Sequence, residues 1–170
     1  MNPDNNKTTE ERPSLEIVTD EEFLQGVCEP VTDKNISELQ ETLDFFKTMS
    51  DRQSIQQGFR MAGLAANQIG KKLRVILVQS GKGFNVFINP RPTFKGKTQK
   101  SEETCFSRPG KDPVEVDRYK FVKVESDNHK FASLIKVPDG FNLPTNVVKL
   151  QKFDAIVLQH EVDHLNGILI

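Results

Sequence analysis

The chain of 170 residues contains no tryptophan, one tyrosine, two cysteines and only three histidines. Two cysteines in so long a chain cannot build a disulfide scaffold. The formal net charge of -1 leaves no excess of either sign, so composition gives no reason to expect nucleic acid or a membrane surface as a partner. No apolar run approaches the roughly 18 residues that a bilayer span needs. Residues 1–12 are polar and mixed in charge; they have neither the apolar segment of a signal peptide nor the acid-poor character of a transit peptide. A disordered arm is expected there, followed by a single domain over residues 13–170, long enough for one adequate core. A thiol used as a metal ligand needs a reducing compartment, which makes the cytoplasm the expected location. No segment advertises a subunit interface, so a monomer is expected.

What the chain has is clear periodicity. Ile36, Leu39, Leu43, Phe46 and Met49 recur at three- and four-residue steps and predict a helix with one apolar face. Residues 73–78 and 84–88 are rich in β-branched and aromatic residues and read as strands joined by a hairpin turn at Gly81-Lys82-Gly83. Residues 91–101, with Arg91, Lys95, Lys97 and Lys100, read as a solvated loop or an edge strand. Short strands are expected at 114–116 and 121–124, with strand pattern continuing through 130–137. A loop is expected at 138–144, a short strand at 147–150, and a final helix from about Lys152 to Asn166. Phe153, Ile156, Val157, His160 and His164 are expected on its inward side, with Gly167 ending it. These elements predict an α+β domain in which mostly antiparallel sheets pack around the C-terminal helix.

That helix carries His160-Glu161-Val162-Asp163-His164. Four-residue spacing stacks the two histidines on one helical face, where both imidazoles can share one metal ion, and Glu161 can exchange a proton with water beside it. No His, Asp, Glu or Cys follows His164, so a third ligand is expected upstream, among Cys28, Cys105, His129 and the carboxylates. Cys105 is favoured, because Glu102-Glu103-Thr104-Cys105-Phe106-Ser107-Arg108-Pro109-Gly110 is rich in polar groups and turn formers. Cys28, among small and apolar neighbours, reads as an ordinary partly buried thiol, and His129 as an exposed histidine. Upstream of both lies Met61-Ala62-Gly63-Leu64-Ala65-Ala66-Asn67-Gln68, where small residues permit close approach of a backbone or a ligand.

Taken together, the segments 61–68, 103–107 and 159–164 resemble the peptide deformylase family, whose motifs read GxGxAAxQ, EGCxS and QHExDH. The resemblance covers roughly residues 13–170. It implies that Cys105, His160 and His164 hold a metal, Fe²⁺ by preference, with Zn²⁺, Ni²⁺ or Co²⁺ as substitutes. It implies that Glu161 is general base and then acid, and that Gln68 and the backbone N–H of Phe106 face a developing oxyanion. Glu103 would pair with Arg118, while Ala62, Gly63 and Leu64 would flank the substrate groove. The implied reaction removes the formyl group from N-formylmethionyl nascent peptides, giving formate and a free N-terminal methionine. Proximity to the ribosome is implied without the long C-terminal helix of some bacterial members. Gln159 is expected to brace local structure or support a ligand, and Asp163 to orient a ligand imidazole.

Two positions depart from the motifs: Met61 replaces the first glycine, and Thr104 replaces the glycine before Cys105. Met61 would place a long side chain near the groove, and Thr104 would be strained if that position required positive φ. They motivate an alternative, a deformylase-like peptide-binding protein with weak or no catalysis. A third reading, cleavage of internal peptide bonds, uses the same chemistry. Residues 134–150 exceed the family's usual length and are expected to add a flap or loop.

Overall fold

The computed structural model describes residues 16–55, 61–81 and 83–170. The expected arm at 1–12, residues 56–60 after the first long helix, and Lys82 of the hairpin turn lie outside the described residues. A short helix α1 (Glu21–Leu24) precedes the long helix α2 (Ile36–Ile55). The strands follow as β1 (Gly63–Ala65), β2 (Val75–Ser80), β3 (Gly83–Ile88), β4 (Arg91–Glu103) and β5 (Val114–Glu125). After a one-turn helix α3 (Asn128–Phe131) come β6 (Phe141–Asn142), β7 (Val148–Gln151) and the final helix α4 (Lys152–Leu165).

The strands form two sheets, ordered β1-β2-β3-β6 and β4-β5-β7. Pairing is antiparallel except between β3 and β6, which run parallel, so the first sheet is mixed. Strand alternation explains the continuous apolar run of β2. Val75 and Leu77 point into a core with Leu39, Leu43, Phe46 and Met49 of α2, whereas Ile76 and Val78 join Val157, Leu158 and Val162 of α4. Val122 and Val124 of β5 close this second core from the other side. The first sheet is therefore buried on both faces, and α4 lies between the two sheets.

Of the two forms expected for residues 91–101, the structure shows the edge strand, within a 13-residue strand of the second sheet. Other expected elements change: the two short strands expected at 114–124 are one strand of 12 residues. These two long strands supply each other's hydrogen bonds, with a β-bulge between Lys95 and Thr98. The strand expected at 130–137 is absent: α3 and turns stand there, fixed by the buried Asn128 side chain. Its amide donates to the carbonyls of Val86 and Pro144 and its oxygen accepts from the Ile88 N–H. Residues 134–150 do not flap over the site; Ile135, Val137, Phe141 and Leu143 pack into the α2 core. Gly167 ends α4 with φ 73°, and the N–H groups of Gly167 and Ile168 donate to the carbonyls of His164 and Asp163.

Candidate metal centre and catalytic cleft

Helix α4 carries both histidines because its opposite sides are already committed to the two sheets. Ala155, Leu158, Val162 and Leu165 are buried, and this orientation turns His160, Glu161 and His164 toward the end of β4. The chain leaving β4 brings Cys105 to them. Ligand atoms of Cys105, His160 and His164 all lie within 4.8 Å of one another, and Cys105 Sγ is 3.1 Å from His164 Nε2. One thiol and two imidazoles within that reach suit a transition metal and leave a coordination position for water or substrate. Cys28 and His129 are outside the cluster. Cys28 is buried, and burial pushes its thiol up to about 11, despite nearby Lys72 and Arg74; His129 is exposed on α3.

A buried ionic chain holds the ligands. Arg118 donates through Nε and Nη2 to both carboxylate oxygens of Glu103, each at 2.7 Å, and through Nη1 to Asp163 at 2.6 Å. Glu103 Oε2 in turn lies 2.8 Å from His160 Nδ1. This fixes the ring so that its other nitrogen is offered to the cluster. Asp163 therefore does not orient a ligand imidazole directly, as the sequence suggested; Glu103 does, and Asp163 anchors the arginine that holds Glu103. Burial alone would raise the Glu103 carboxyl, but hydrogen bonds from Arg118 and His160 bring it to about 2. Since its folded-state pKa lies below the ordinary glutamate value, the stability it contributes is present above that value and is lost as pH falls toward 2. Replacing Glu103 by glutamine is expected to weaken metal affinity 10- to 100-fold, read by competition with a chromogenic chelator; unchanged affinity would remove Glu103 from its supporting role.

The imidazoles are shifted in opposite directions before any metal binds. Burial lowers His160, but hydrogen bonds with Cys105 and Glu103 and the Glu161 charge raise it to about 10. Burial and the neighbouring His160 charge push His164 down to about 3.

Glu161 is 5% exposed. Among the described residues its Oε2 has no hydrogen-bond partner. Burial raises its carboxyl to about 7, with the His160 charge opposing. A carboxylate near neutrality and facing a cleft can both take and return a proton. Gly63 explains how it fits: a Cβ there would lie 2.6 Å from Glu161 Oε1 and 2.7 Å from Val157 Cγ1. Gly63→Ala is expected to push Glu161 out of place and reduce turnover about 100-fold, as a displacement of about 1 Å can do. Steady-state kinetics with metal content checked would measure it, and wild-type turnover would show that Glu161 tolerates the shift.

The cleft, of about 480 Å³, is lined by Ala62, Gly63, Gln68, Cys105, His160 and Glu161, with Phe106 and Phe153 also on its walls. Leu64 is not part of it; strand alternation turns Leu64 into the α2 core, fully buried. Phe153 is 58% exposed and belongs to the cleft wall rather than to the packed side of α4. Gln68 donates through Nε2 toward Cys105 Sγ at 3.5 Å and Ser107 Oγ at 3.3 Å, while its Oε1 accepts from the Ala65 N–H. Gln159 braces β5, accepting from the Tyr119 N–H and donating to the Tyr119 carbonyl, both at 2.9 Å. Two contributors escaped the sequence reading. Asn67 donates to the His164 carbonyl at 2.7 Å, and Ser107 receives the Gln68 amide. Both lie inside the quoted motifs, but only the fold brings them together.

The motif departures are accommodated. Met61 is fully buried in the α2 core, away from the cleft. Among the described residues only Asn89 and Lys152 are non-glycine residues with positive φ, so Thr104 carries no left-handed strain. The obstruction and distortion behind the binding-only reading are thereby removed.

An HExxH helix completed by a cysteine from a neighbouring segment, with a buried carboxylate over the cleft, defines a metal-dependent hydrolase. The chain belongs to the polypeptide deformylase family, whose model matches residues 14–170. It is 32% identical over 156 residues to peptide deformylase 1 of Clostridium perfringens, covering 88% of this chain and 90% of that one. A class I type b peptide deformylase from Acinetobacter baumannii, solved with Met-Ala-Ser bound, superposes with a TM-score of 0.67 at 28% identity. That match covers 91% of this chain and 95% of the other. A probable peptide deformylase from Synechococcus phage S-SSM7 gives 0.66 at 32% identity, over 92% and 97%.

Proposed function

We propose that the protein is a peptide deformylase that hydrolyses N-formylmethionyl peptides to formate and a peptide with free N-terminal methionine. The observation that carries this reading is the Cys105-His160-His164 cluster beside a cleft lined by Cys105, His160 and the buried Glu161. When bound, the metal supplies Lewis acidity to water and to the formyl oxygen. Glu161 accepts the proton of the attacking water at its carboxylate. The water oxygen bonds to the formyl carbon, the C–N bond breaks, and Glu161 returns the proton to the departing amine. Gln68 Nε2 and the Phe106 N–H are assigned to the oxyanion, where loss of one donor costs about 3 kcal/mol. The methionine side chain is assigned to the apolar part of the cleft beside Ala62, Ile156 and Val157. That the Acinetobacter relative binds Met-Ala-Ser supports a product of this type.

The test is formate release from a short N-formylmethionyl peptide, with the unformylated peptide as control. Formate from the first and no new amino groups from the second is the expected result; cleavage of the unformylated chain would establish a peptidase instead. For the native metal we propose Fe²⁺, since a thiolate with two imidazoles accommodates it. Protein purified without oxygen is then expected to lose activity in air through oxidation of the metal or of Cys105. Equal half-lives with and without oxygen would overturn the iron assignment. The need for a reduced thiolate supports a cytoplasmic site of action.

A further inference from the structure

The sheet β4-β5-β7 has an inner face against α4 and an outer face carrying exposed side chains. Its register places Lys95, Phe121 and Gln151 side by side across the three strands, and Thr93, Lys123 and Lys149 in the adjacent row. All six are exposed, while Val122 and Val124 between them are buried on the inner side. Lys123 and Lys149 stand directly opposite each other. Like charges in that arrangement destabilise a sheet, and among the described residues none of Lys95, Lys123 and Lys149 forms an ion pair. Elsewhere on this face Lys100 pairs with Glu115 and Asp117, and Arg91 pairs with Asp127, while Glu125 stands in register with Arg91 at the end of the sheet. A band of positive charge therefore surrounds Phe121, whose ring is 56% exposed.

We propose that this outer face binds single-stranded nucleic acid. The lysines would neutralise phosphates, and a base would stack on Phe121, the combination that non-sequence-specific single-strand binders use. Gln151 and Thr93 close the two rows with groups able to hydrogen-bond to bases or phosphates. The net charge of -1 is a sum over the whole chain and says nothing of how charge is distributed over one face. Charge complementarity selects an anionic partner. The exposed ring at the centre favours nucleic acid over an acidic peptide, and a single aromatic residue in the two rows is too little apolar surface for a membrane. None of the six residues of the two rows lines the cleft, so the two activities are separable.

The experiment is fluorescence anisotropy of a labelled oligouridylate of about ten nucleotides, within the usual site size, with wild-type protein at low salt. Binding is expected to fall with salt, with a log–log slope of about -2 for three lysine–phosphate contacts. Phe121→Ala is expected to weaken it about tenfold through lost stacking, and the double substitution Lys123→Glu, Lys149→Glu by a similar factor or more. Thermal unfolding midpoints close to wild type would exclude a folding defect, and a variant that fails to fold would be replaced by Lys123→Gln or Phe121→Leu. The proposal is overturned if the oligonucleotide does not bind. It is also overturned if Phe121→Ala has no effect while heparin competes equally, which would mark a generic polyanion surface, or if anionic phosphatidylserine vesicles bind and the oligonucleotide does not.

Discussion

Glu161→Gln is expected to keep the metal and lose turnover by about 10²- to 10⁴-fold, the usual contribution of a positioned general acid–base. The substitution is nearly isosteric. The amide cannot take a proton from water at neutral pH, yet it occupies the same space beside Gly63. Metal content by atomic emission and formate release, measured on the same samples, separate chemistry from ligand loss. Because Glu161 is held near 7 chiefly by burial, the acid limb of the wild-type pH–rate profile should reflect its ionisation, with activity falling as the carboxylate is protonated. The glutamine variant should lose that limb. Full activity in the variant would assign the base elsewhere, and the mechanism above would fail with it.

Cys105→Ser is expected to weaken metal affinity by more than the 10- to 100-fold typical of losing a supporting residue. A serine hydroxyl does not ionise as a thiol does and is a harder donor than the two imidazoles beside it. Competition with a chelator at limiting metal would measure the change. The two histidines and their support through Glu103 and Arg118 persist in the variant, so a folded protein with low occupancy is the expected state. Unchanged affinity would point to a different third ligand, and the closeness of Cys105 to His164 would need another explanation.

The metal site was legible because its chemistry is written locally. His160 and His164 are one helical turn apart, and Glu161 comes with them; helical geometry needs no tertiary information to bring these together. Cys105 was nameable only through its unusual neighbourhood and through resemblance to a family. The two long helices and the hairpin were legible because periodicity survives any packing. The strand expected at 130–137 failed for the opposite reason. Its apolar residues look like a strand, but the buried Asn128 side chain donates two hydrogen bonds to, and accepts one from, segments outside its own helix and fixes α3 and a turn instead. The lysine-rich segment 91–101 carries no apolar alternation, and its strand exists because β5 lies beside it.

The sequence by itself determined the class of chemistry, the histidine pair of the metal-binding cluster, the carboxylate we assign to proton transfer and the α+β character of the domain. Each depends on spacing along a single element or on composition. The tertiary structure alone decided that Glu103, rather than Asp163, orients His160, and that Met61 and Leu64 turn into a core rather than the cleft. It also decided that Gly63 must lack a side chain for Glu161 to sit where it does, and that Lys123 and Lys149 face each other. Those facts depend on which face of a strand is covered and on which distant element covers it. Such relations follow from the simultaneous packing of two sheets around α4, where no residue's position is set by its neighbours in sequence alone.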